Sequence, residues 1–242
     1  MNGILALRAG GVSPPKEMNG DWLILETSGR GAKVGLARAG EVVRTASLDD
    51  TRRHARDLVA TIDAMLKAAS LSPRELTGVV VGRGPGSYTG LRVGIVSAKA
   101  LAYATGCKLV VVDTFAAIAE QAPTEAKSLW VIGDALQGHI YRQRFTRGNG
   151  GWLATDELQI ERAEEWLKLA EPGTWVTGPG IKVYANRIPT GCPLVPEQDR
   201  EARIESVFAV GPRSTALTRE EMFALEPLYL RGSSAEEKAK TG

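Results

Sequence analysis

The chain has 242 residues, enough for one large domain or for two lobes that each bury a core. Hydrophobic residues make up 43% and charged residues 24%, with a formal net charge of +2. That near balance excludes a broad surface built to grip a polyanion, and the longest apolar runs, such as residues 109–112, are too short to cross a membrane.

Residues 1–20 carry Gly10-Gly11, Pro14-Pro15 and Asn19-Gly20, and their apolar stretch is cut by Arg8. They are predicted to form a disordered extension, with Met18 as an alternative start. Residues 22–27 read as a buried strand ending at Glu26, and residues 28–32 as a glycine-rich turn. Residues 33–39 and 41–47 complete a three-strand meander. Residues 53–69 are predicted to be helical, with Leu58, Ile62, Met65, Leu66 and Ala69 on one apolar face. A strand follows at 76–81, then a glycine turn at 82–86. A helix spans 88–105 and stops at Gly106, a strand covers 108–112, and a further helix covers 114–122.

The order then repeats. Trp130-Val131-Ile132-Gly133-Asp134 echoes Trp22-Leu23-Ile24-Leu25-Glu26, an apolar strand that ends in a carboxylate before a glycine turn. Strands are expected at 138–145, 152–158 and 174–177, with helices at 161–170 and 201–210. The fold class expected is α/β, with two similar lobes that each hold a mixed sheet and flanking helices. The first lobe is assigned to residues 21–124, the second to 125–231, and a mobile tail to 232–242.

The chemistry-bearing residues are few. Cys107 and Cys192 are far apart and have no nearby histidine, so two free thiols are expected. His54 and His139 each lack a second ligand at helical spacing, and no nucleophile elbow is present. No catalytic residue, metal or cofactor is therefore expected. Glu26 and Asp134 read either as metal-holding carboxylates or as caps of strand ends. The segment 82–94, GRGPGSYTGLRVG, is a strand–turn–helix unit that is either an anion site at a helix N-terminus or a turn for close packing. It lacks the Lys-Ser/Thr of a P-loop and the third glycine of a dinucleotide fingerprint.

Segment 82–94 resembles the signature of the TsaB (YeaZ-like) family. Leu25-Glu26-Thr27-Ser28, Asp134–Gly138 with Ile140-Tyr141, and Pro227–Arg231 match further family stretches in the same order. The resemblance implies an actin-like (ASKHA, RNase H-like) duplicated fold. It also implies a non-catalytic, cytoplasmic subunit that pairs with TsaD and is joined by the ATPase TsaE. That complex transfers a threonylcarbamoyl group to an adenosine of tRNA, so any tRNA contact would come through it; a homodimer is also possible.

TsaD carries two metal-binding histidines four residues apart, and the matching positions here are Thr114 and Ile118, which cannot ligate a metal as imidazole does. Glu26 departs from the Asp of many TsaB proteins. The resemblance also places the partner interface on the first-lobe helices. The small residues Gly90, Gly94, Ala98 and Ala102 recur every four positions, with Leu58 and Met65 from the neighbouring helix beside them. The same stripe is alternatively read as packing on the protein's own sheet. Two other functions fit the fold: an actin-like nucleotide-dependent kinase, and a metallopeptidase against which the missing histidines speak.

Overall fold

The computed structural model describes residues 18–48 and 54–228. The first sheet is built from β1 (Asp21–Glu26), β2 (Lys33–Arg38), β3 (Glu41–Ser47), β4 (Gly78–Gly82) and β5 (Lys108–Val112), in the order β3-β2-β1-β4-β5. β1, β2 and β3 pair antiparallel, whereas β1, β4 and β5 pair parallel. Parallel neighbours need a crossover, and α2 (Tyr88–Thr105) supplies it between β4 and β5. α1 (His54–Ala68) lies beside α2 on the same face, and α3 (Thr114–Ala119) follows β5.

The second sheet repeats the plan. β6 (Ser128–Asp134) pairs antiparallel with β7 (His139–Gly148) and parallel with β10 (Trp175–Thr177). The expected strand at 152–158 is corrected to two short ones, β8 (Gly151–Ala154) and β9 (Gln159–Arg162), which share one edge of β7. The break lies at Asp156. Its carboxylate accepts from the Arg144 amide at 2.6 Å and from Arg142 Nη1, so a side chain takes the place of a ladder bond. α4 (Ala163–Leu169) and α5 (Ile181–Tyr184) cover the outer face.

The layers follow from alternation along the strands. In β1, Leu23 and Leu25 pack toward α1 and α2, while Trp22 and Ile24 pack toward the second lobe; Val79 and Val81 of β4 divide from Val80 in the same way. In β6, Leu129 and Val131 face the first lobe, and Trp130 and Ile132 face α4 and α5. A strand buried on both faces reads as a continuous apolar run, which is why these strands stand out in the sequence. The middle layer is α3 with α6 (Ile204–Val210), and α6 packs on β1, β2, β3 and β4. The chain thus returns to the first sheet after crossing the second lobe.

Met18 is 3% exposed in this central core, and the Trp22 indole donates to Asn19 O at 3.1 Å. Residues 18–20 are therefore part of the fold and not of a disordered extension. Residues 1–17 and the tail expected at 232–242 lie outside the described residues.

Candidate functional site

Both lobes open their first turn onto a shared cavity of about 820 Å³, lined among others by Glu26, Lys33, Gly86, Thr114, Asp134 and Lys182. Glu26 ends β1 at its floor and is 3% exposed. Its carboxylate accepts from the Ser28 amide at 2.7 Å and from the Thr114 hydroxyl at 3.1 Å. Burial pushes the Glu26 carboxyl up from its ordinary value, against the bonds from Ser28 and Thr114 and the charge of Lys33. Lys33 itself is occupied, donating to Ala202 O at 2.8 Å with Glu201 at 3.6 Å. Asp134 accepts from the Leu136 amide at 3.0 Å and so caps its turn. Among the described residues no group of three or more His, Cys, Asp or Glu is placed to hold a metal ion.

The glycine motif enters this cavity between β4 and α2, with a cis peptide at Gly84-Pro85. Several of its amides are already engaged. Ser87 N donates to Ser28 O at 2.7 Å, Gly84 N to Thr114 Oγ1 at 3.2 Å and Gly90 N to Ser87 Oγ at 3.2 Å. The glycines serve close approach. A Cβ at Gly86 would overlap Ser28 O, one at Gly90 would overlap Thr27 O, and one at Gly94 would overlap Thr27 Oγ1. The motif therefore clamps α2 onto the first β-turn, as the packing alternative read from the sequence expects.

The expected interface stripe has the opposite orientation. Gly94, Ala98 and Ala102 are buried on α2, and Gly90 rests on the Thr27 carbonyl. Leu58 and Met65, 0% and 7% exposed, belong to the same core cluster. The crossover dictates this: α2 joins two parallel strands, so one stripe must lie on the sheet, and the smallest residues allow the closest approach. Five of the six residues are buried, and Gly90 is half-buried at the edge of the cavity. The outward stripe, offset by two positions, consists of Val96, Ala100 and Ala104, with Arg92 before it. α1 shows Val59, Ala60, Ala64 and Ala68 on its exposed side. Sequence reasoning missed these because the small stripe was read as a docking face, and only the sheet shows that it is the one buried. Thr114 is 2% and Ile118 is 1% exposed; both point inward, and Thr114 bonds Glu26.

The family model described as "TsaD: tRNA N6-adenosine threonylcarbamoyltransferase" matches residues 45–220. The chain belongs to this family. Within it, the similarity runs to TsaB, or YeaZ-like, proteins. It is 27% identical over 147 residues to the tRNA threonylcarbamoyladenosine biosynthesis protein TsaB of Bacillus subtilis, a match covering 61% of this chain and 64% of that protein. It is 27% identical over 202 residues to TsaB of Escherichia coli, covering 77% and 84%. The match thus spans a little less than two thirds of the Bacillus protein's length. YeaZ from Pseudomonas aeruginosa superposes with a TM-score of 0.72 at 22% identity, covering 87% of this chain and 100% of that one. The shared fold is the α/β architecture of two mixed sheets flanked by helices. Among the described residues no helix is long and apolar enough to cross a membrane.

Proposed function

We propose that the chain is a non-catalytic, cytoplasmic subunit of the machinery that places threonylcarbamoyl on the adenosine beside the anticodon of tRNA. It pairs with a TsaD-type subunit and is joined by a TsaE-type ATPase. The observation that carries the reading is the state of the signature motif. In a family whose model bears a transferase name, this chain uses its glycines for packing and fills the two histidine positions with Thr114 and Ile118, both buried. Imidazole ligands are replaced by a hydroxyl already bonded to Glu26 and by a side chain with no donor atom.

Pairing is assigned to the outward sides of α1 and α2. Val59 is 58% and Val96 is 63% exposed, and alanines flank both. Two adjacent helices with small outward side chains let a second helix pair approach closely. A homodimer through the same face is the state expected in the absence of the partner.

The test mixes the purified full chain with the TsaD-type and TsaE-type subunits of the same organism, unmodified tRNA and the substrates of the reaction. Modified nucleoside is then read by mass spectrometry. The expected result is modification only when all three proteins are present. Full modification without this chain, or no association with the TsaD-type subunit on size exclusion, overturns the proposal.

A further inference from the structure

Beyond α6 the chain returns over the first lobe as a strap. Leu217 N donates to Leu109 O on β5 at 2.8 Å, and Leu228 N donates to Arg83 O at 3.1 Å. Between these points lies α7 (Arg219–Ala224), where Thr218 and Glu221 close a capping box. That box sets the turn so that Met222, 8% exposed, enters the core under α2, while Phe223, 58% exposed, faces out. The Phe223 ring stands edge-on to Tyr103 of α2, with centroids 5.7 Å apart. The Arg219 guanidinium lies 5.3 Å from the Tyr103 centroid and 6.0 Å from that of Phe223. Tyr103, 57% exposed, falls on the same side of α2 as Val96, seven residues away. The aromatic pair thus continues the outward face.

Six residues cannot hold a helix by themselves. The end of α7 is held by Lys99, whose ammonium leaves α2 and donates to Phe223 O at 2.9 Å and Leu225 O at 3.2 Å. A cation on the last carbonyls of a helix is favourable both as a hydrogen-bond donor and toward the helix dipole.

We infer that Lys99 is a positioning residue for partner docking. By clasping the strap it fixes Phe223 against Tyr103, and the pair extends the α1–α2 face toward the TsaD-type subunit; this rests on the pairing proposed above. Exposed aromatic rings with a stacked arginine have the composition that interface hot spots favour.

The experiment uses the full chain and three variants, Lys99→Met, Lys99→Arg and Phe223→Ala. Hydrogen exchange on the free protein should show amides of 217–228 opening about tenfold faster in Lys99→Met. Amides of β1 and β4 should be unchanged, and Lys99→Arg should restore protection. Titration with the TsaD-type subunit should show Lys99→Met and Phe223→Ala each weakening binding about tenfold, and the double variant no weaker than either single one. Unchanged strap exchange in Lys99→Met, or wild-type affinity in either single variant, overturns the role of Lys99. Failure of the wild-type chain to bind overturns the pairing and this role together.

Discussion

Replacing Gly94 with alanine tests whether the signature glycines serve packing. The added Cβ would overlap Thr27 Oγ1 and stand 3.0 Å from Thr27 Cγ2. Thr27 is 3% exposed at the end of β1, so it has little room to move. Overpacking of this kind costs about 1–3 kcal/mol. Removing an interior glycine from a helix returns about 1 kcal/mol. Gly94→Ala alone should therefore destabilise the chain by up to about 2 kcal/mol, a fall in Tm of about 2–4 °C per kcal/mol for a chain of this size. Thr27→Ala removes the two nearest obstructing atoms and leaves its Cβ at 3.1 Å, and Thr27 Oγ1 has no hydrogen-bond partner to lose. In that background Gly94→Ala should be neutral or stabilising, with a coupling of about 1–3 kcal/mol between the two sites. Urea denaturation of the four proteins, followed by circular dichroism, measures the cycle. Additivity within about 0.5 kcal/mol would refute close packing as the reason for the glycine.

Glu26→Gln tests the buried carboxyl. Because its folded pKa is raised, the contribution of Glu26 to stability should be fully present below the ordinary value of 4.5 and be lost as pH rises through the folded pKa. The amide variant should lack that decline, and thermal melts across pH would show it; parallel profiles would contradict the assignment. Ala98→Glu places an unpaired carboxylate in the core and should destabilise the free chain by about 3–5 kcal/mol, a large part of a typical stability of about 5–15 kcal/mol. Ala100→Glu, on the outward stripe, should leave the melt within about 0.5 kcal/mol of wild type but abolish pairing on size exclusion. An Ala98→Glu protein that melts like the wild type would put the wrong stripe in the core.

Much of the architecture was legible in the sequence because the central strands β1, β4 and β6 are buried on both faces. Runs such as Val79-Val80-Val81 and Trp130-Val131-Ile132 have nowhere to go but a sheet interior, so the strands and their repeat followed directly. α2 was equally legible, from its start beyond Ser87 to the left-handed Gly106 that ends it, φ 75°. The family resemblance rested on residues 82–94, and the family match covers them.

What the sequence left open was decided by which surfaces meet. α2 carries the small stripe 90-94-98-102 and, on another side, Val96, Ala100 and Ala104 behind Arg92, and helical periodicity alone does not say which of the two meets a partner. Only the β4–α2–β5 crossover, which brings the helix down on Thr27, selects the first for the core and leaves the second outside. The break at Asp156 depends on Arg142 and Arg144 from another strand, and the strap depends on Lys99, more than 100 residues before it. Local pattern fixes which residues are apolar and how often they recur. Partners distant in the chain fix which side of an element they bury, because that choice is made by contacts no window of sequence contains.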